Sequence, residues 1–283
     1  MLHALAAAVA ISVAQAPAVH DVQVNWAADG AFTGGGLALY LASEAVLKPA
    51  LAPAACRWCD RDASGADALN PVDAAARAAV VWPLDRQGQA DSLSNVDVYL
   101  LMPAAMFGLD GYLAASSGPI GRWGKDAMII AEASVAAALL NQTAKFIAGR
   151  ERPFVHVLPD AEKPLTANPL DNNVSFYSGH TTTAFALLFS TLSVAELRGY
   201  PQRWLLWAVG VPVALAAPYL RMGADRHYLT DVLTGAVVGG AVGWFLPVLL
   251  HPRDDAAPPG GQQPQAIRVS VGPSVVSVAV AFP

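Results

Sequence analysis

Three short stretches of this 283-residue chain combine cations, imidazoles and a carboxylate at spacings suited to work on a multiply charged anion. In KFIAGRERP (145–153), Lys145 and Arg152 stand seven residues apart, about two helical turns, so a helix would present both on one face. Pro153 disfavours helical backbone at Arg152 and should end that helix. In YSGHT (177–181), Ser178, Gly179 and His180 lead into an apolar run. A helix starting there exposes unpaired backbone N–H groups that attract anions, and Gly179 permits close backbone approach. In RMGADRHYLTD (221–231), His227 and Asp231 are four residues apart, neighbours on a helical face. A carboxylate behind an imidazole fixes its tautomer and stabilises its charged form, the orienting logic of an activated nucleophile.

Each stretch alone has a plainer explanation. Lys145 at a helix end can snorkel to a membrane interface. Ser178 or Thr181 can simply cap a helix, and a His–Asp pair can be structural. Taken together, Lys145, Arg152, Arg221, a helix N-terminus and two histidines describe a phosphate site, because Arg forks match phosphate oxygens bidentately.

The three stretches resemble the signature of the type 2 phosphatidic acid phosphatase superfamily. That pattern is Lys, six residues, Arg-Pro; then Pro-Ser-Gly-His; then Ser-Arg, five residues, His, three residues, Asp. Order and internal spacing agree throughout 145–231. Two positions depart: Tyr177 stands at the usual Pro and Leu220 at the usual Ser. The resemblance implies an all-α bundle of about five to six transmembrane helices and a hydrolase of phosphate esters. It implies that His227 attacks phosphorus, Asp231 holds the far ring nitrogen, and His180 protonates the leaving oxygen and then deprotonates water. Lys145, Arg152, Arg221, Ser178 and Gly179 would hold the phosphoryl oxygens. With side-chain cations in that role, no metal or other cofactor is expected, and vanadate should inhibit. Arg150, Glu151 and Arg226 could brace the site or touch a headgroup. His156 and the loop 159–173 read as exposed connection that could cover the pocket.

The elements that must position these residues are apolar. Charged residues make up 14% of the chain and apolar ones 54%, against about 25% charge in soluble domains, which points to a membrane bundle. A net charge of −5 with no basic tract gives no reason to expect nucleic acid as a partner. Five apolar segments stand out, at about 97–114, 127–148, 181–197, 204–220 and 231–250. Those carrying Asp110, Glu132, Asn141 or Lys145 should turn these groups into the bundle. The connections holding Arg122 and Lys125, Arg198 and Arg203, and Arg253 would share one side. By the positive-inside tendency that side is cytoplasmic, which puts the motifs at the periplasmic face of a bacterial-type inner membrane.

The ends read differently. Residues 1–16 have an apolar core followed by Ala14-Gln15-Ala16, as in a cleaved secretory signal. Residues 17–96 are expected to be an exported segment of short amphipathic helices; within it 34–47 is short for a span and 70–82 has helical periodicity. Cys56 and Cys59 could be half a metal site, a redox pair or a local disulfide; in an oxidising compartment the disulfide is favoured. Residues 97–250 form the membrane phosphatase domain, and 251–283 a linker with a β-like tail. The function expected is hydrolysis of a lipid phosphate or diphosphate. The alternatives are a phosphotransferase with the same site, a soluble exported acid phosphatase, and last a vanadium-dependent haloperoxidase.

Overall fold

The computed structural model describes residues 19–254, 267–272 and 275–280; the expected signal segment 1–16 lies outside them. Among the described residues eight α-helices are formed. Helix α1 runs over 26–51, made of Trp26–Ala42, a π turn Ser43–Leu47 and Lys48–Leu51. Helix α2 is Pro71–Val80, α3 Leu84–Ser117, α4 Arg122–Ala148, α5 the single turn Pro153–His156, α6 Gly179–Arg198, α7 Trp204–Gly223 and α8 Leu229–Leu250. Strands β1 (Ile267–Gly272) and β2 (Val275–Val280) pair antiparallel as a hairpin.

Local chemistry sets the boundaries. Asn70 caps α2 through Asp73 N, and Gly149, in the left-handed conformation, closes α4 three residues before Arg152. Both π turns, Ser43–Leu47 and Asp97–Leu101, end two residues before a proline, Pro49 and Pro103. Proline offers no N–H and crowds the carbonyl four residues back; widening the preceding turn lets each helix continue.

Four segments, α3, α4, α7 and α8, are long and apolar enough to cross a membrane. The fifth expected segment, 181–197, folds as α6 but is not in that class. The reason is its place: α6 packs against α3, α4, α7 and α8 and is buried along most of its length. A helix shielded by protein need not be apolar all round. Its Thr182 and Thr191 hydroxyls return hydrogen bonds to carbonyls one turn back. Its tightest neighbour is α8. A Cβ at Gly239 would stand 2.3 Å from the carbonyl oxygen of Thr182, so glycine there allows the two backbones to touch.

Helix α1 changes the expected organisation of 17–96. It lies parallel to α4 along its whole length: Trp26 is beside Gly124, Gly36 faces Val135 and Leu139, and Glu44 bonds Gln142. Residues 19–25 therefore sit at one end of the bundle and 52–82 at the other. At the first end Asp21 pairs with Lys125 and Arg198, Val22 bridges to Arg253, and Arg253 bonds the Glu196 carbonyl. This is the end to which the three basic connections come together. The apolar 34–47 stretch is part of α1, which runs alongside α4.

Candidate active site

The other end of the bundle gathers the three motifs. Helix α4 delivers Lys145 at its last turn, and the chain then bends through Gly149 to Arg152. Helix α6 begins at Gly179 and α8 at Leu229, just after His227. The close α6–α8 contact brings the two helix starts, and with them His180 and His227, to the same place. Lys145, Arg152, Gly179, His180, Arg221 and His227 all line one cavity of ≈ 400 Å³. Tyr40 and Glu44 from α1, Asp91, Asn95 and Tyr99 from α3, and Asp171 complete its wall.

Of the cations, Arg221 is paired with a carboxylate, whereas Arg152 is oriented by backbone oxygens. Arg152 donates from Nε to the Asp171 carbonyl at 2.7 Å and from Nη1 to the Arg226 carbonyl at 3.2 Å, so two backbone oxygens aim it without a carboxylate partner. Arg221 is gripped by Asp91 and by Ser94 Oγ at 3.2 Å, while its buried Nε has no protein partner among the described residues. Lys145 Nζ lies where a side chain on Gly179 would collide with it, at 3.0 Å from the position of a Cβ. Glycine at 179 keeps that approach open. Arg226 shares Asp91 with Arg221, at 3.1 Å, and rests on the Phe154 ring.

His227 is buried, and its Nδ1 lies 3.6 Å from Asp231 Oδ2, beyond hydrogen-bond length. Burial, then the charges of Arg152, Arg221 and Lys145, push the His227 imidazole well below its ordinary range and hold it neutral. Asp231 lies behind it, away from the cavity. Its Oδ2 accepts from Ser175 Oγ at 2.6 Å and Tyr228 N at 3.0 Å, and its Oδ1 from Arg150 at 2.6 Å. His180 Nε2 faces Asn95 Oδ1 at 2.7 Å, with the Tyr99 ring edge-on beside it.

Ser178 departs from expectation. Its hydroxyl accepts from Thr181 N and its N–H donates to the Asp231 carbonyl, so it caps α6 and tethers α8 instead of lining the cavity. The peptide before Tyr177 is cis, and the Tyr177 carbonyl accepts from Asn141. The connection 153–173 is not loose cover. His156 is buried against Glu151 at 3.2 Å, Lys163 pairs with Glu151 at 2.8 Å, and Asp171 ties to Lys48 at 2.5 Å as well as placing Arg152. Cys56 and Cys59 form a disulfide. Asn95, Asp91, Ser94 and Ser175 are site residues that no motif spacing announces; the first three lie in the polar first third of α3, before its apolar part.

A cavity ringed by three cations, faced by two imidazoles and reached by the start of α6 has the chemistry to hold an oxyanion. In sequence, residues 126–255, which carry all three motifs and most of α4, match the PAP2 superfamily model. Over 111 residues the chain is 29% identical to a protein named undecaprenyl-diphosphatase from Sulfolobus acidocaldarius, a match taking in 39% of this chain and 48% of that protein. The chain thus spans about half the length of the curated relative it matches. A solved structure, titled as the first transmembrane PAP2 type phosphatidylglycerolphosphate phosphatase from Bacillus subtilis, aligns with a TM-score of 0.45 and 16% identity, over 77% of this chain and 95% of that one.

Proposed function

We propose that this protein is a membrane-embedded lipid phosphatase working through a phosphohistidine. The observation that carries the reading is that six residues of three separate motifs line a single cavity. Neutral His227 attacks phosphorus through Nε2, the nitrogen remote from Asp231, forming a P–N bond as the P–O bond to the lipid breaks. Protonated His180 gives its proton to the departing oxygen. In the second step His180 removes a proton from water, the water oxygen bonds to phosphorus, and the P–N bond breaks to release phosphate. Lys145, Arg152, Arg221 and the N–H groups at Gly179 hold the phosphoryl oxygens, supplying positioning and charge neutralisation.

Membrane residence is supported by the four apolar helical segments and by their outward side chains, among them Leu100, Leu140, Trp207, Leu233 and Phe245. These faces also weigh against a soluble acid phosphatase. The basic connections at the far end favour an inner-membrane orientation with the site towards the periplasm. A lipid phosphate or diphosphate is the substrate class. The relatives named above act, by their names, on such lipids, and a cavity at the bundle end can take a headgroup while its tail stays in the bilayer. Phosphate release from a panel of lipid phosphates and diphosphates by purified protein, with His227→Ala as control, tests the reading. Release that survives the substitution would overturn the nucleophile assignment.

A further inference from the structure

Arg150 belongs to none of the three motif positions and does not line the cavity, yet its guanidinium is fully enclosed. Its Nε donates to Asp60 at 3.1 Å, Nη1 to Thr230 Oγ1 at 2.7 Å and Asp231 Oδ1 at 2.6 Å, and Nη2 to Asp73 Oδ2 at 2.8 Å. The rings of Trp58 and Tyr228 cover it, their centroids 4.2 and 4.1 Å from Cζ. Asp73 also binds Thr230, at its N–H (2.8 Å) and hydroxyl (2.7 Å), in the first turn of α8. Three carboxylates, two rings and the start of the helix that follows His227 are thus organised around one cation.

We infer that Arg150 is a positioning residue for the nucleophile, acting through Asp231; this rests on the phosphohistidine reading above. Two neutral donors, Ser175 and Tyr228 N, hold one oxygen of Asp231, and Arg150 holds the other. The carboxylate plane is therefore fixed with Oδ2 towards His227 Nδ1. The same contact supplies the charge that lets a buried carboxylate persist as an anion. A lysine could not replace it, because an ammonium offers one compact charge where the planar fork reaches three acids at once. Of the groups on Arg150, Trp58 lies inside the turn closed by the Cys56–Cys59 disulfide and Asp60 directly follows it. The segment between α1 and α2 is in this account the outer half of the catalytic support.

The test is a double-variant cycle in the purified full-length protein. Arg150→Lys is expected to lower kcat about ten- to a hundredfold, the range seen when a residue orienting a functional histidine is removed. KM and inhibition by vanadate should be nearly unchanged, since Arg150 touches no cavity oxygen. In an Asp231→Asn background the same change should cost little more, because both act on one element. Additive losses, or vanadate affinity falling in step with kcat, would overturn the inference. Should Arg150→Lys fail to fold, Asp60→Asn weakens the Nε contact, leaves the Asp73 and Asp231 contacts of Arg150 in place, and should show a smaller loss with the same non-additivity; additivity there overturns it equally. Loss of dependence on His227 would sink the underlying mechanism, whereas additive behaviour with His227 still essential would sink this inference alone.

Discussion

His227 and Asp231 face each other at 3.6 Å across the start of α8, close enough for electrostatic pairing and too far for a hydrogen bond. Their spacing of four residues suggested one helical face. In the structure His227 precedes the helix and Asp231 lies in its first turn, where its Oδ2 accepts from the Tyr228 N–H. Attack on phosphorus would develop positive charge on the ring and draw the two together. The carboxylate is expected to matter more to kcat than to substrate binding: Asp231→Asn should lower kcat steeply while KM moves little, as measured by initial rates of phosphate release.

The pH profile follows from the cations. His227 must be neutral to attack, and burial with Arg152, Arg221 and Lys145 places its imidazole well below the ordinary value of about 6.5. The acid limb of kcat/KM should therefore fall below that value, with activity kept as pH drops through it. Removing one cation by Arg152→Gln should raise the His227 value and move the limb to higher pH. The substrate's own second ionisation, near 6, does not move between variants, so a comparison of the two profiles isolates the enzyme group.

Asn95 supports His180 from α3. Its carbonyl oxygen accepts from Nε2 and opposes burial and the charges of Arg221 and Lys145, which push the His180 imidazole well below its ordinary range. Asn95→Leu should lower kcat by about tenfold, the worth of one hydrogen bond to a charged group, and shift the alkaline limb to lower pH. An unchanged alkaline limb would show that Asn95 does not tune the acid.

Close packing of α6 on α8 sets the distance between the two histidines. Gly239→Val should therefore lower stability by about 1–3 kcal/mol, the range for overpacking a filled core, and reduce kcat in the protein that remains folded. Thermal unfolding in detergent, paired with activity per folded molecule, measures both.

With side-chain cations proposed in the role a metal could serve, chelation with EDTA should leave the rate of purified protein unaltered, while vanadate should compete with substrate. Loss of activity on chelation, restored by a divalent ion, would contradict the proposed charge neutralisation. Carbonate extraction of membranes should leave the protein in the pellet.

Much of the site could be read from the chain because its chemistry is local in sequence. The spacing from Lys145 to Arg152 encodes a helix end, and Gly179-His180 encodes a helix start. What could not be read is carried by long separations. Arg150 meets Asp73 across 77 residues and Asp60 across 90, and Asn95 meets His180 across 85. No local pattern marks such pairs. Helix α1 was obscured for a different reason: Gly34, Gly35 and Gly36 weaken intrinsic helicity, and of the three only Gly36 packs on α4, at Val135 and Leu139. Ser178 shows the reverse lesson, since the ordinary capping role competing with phosphate binding is the one its side chain takes.

The central claim is that phosphate passes through His227. Purified protein mixed with a lipid carrying radiolabelled phosphate and quenched in alkali, where phosphohistidine survives, should hold label on the peptide containing His227. The His227→Ala variant should hold none and release no phosphate. Label on another residue, or continued phosphate release by His227→Ala, would contradict the account.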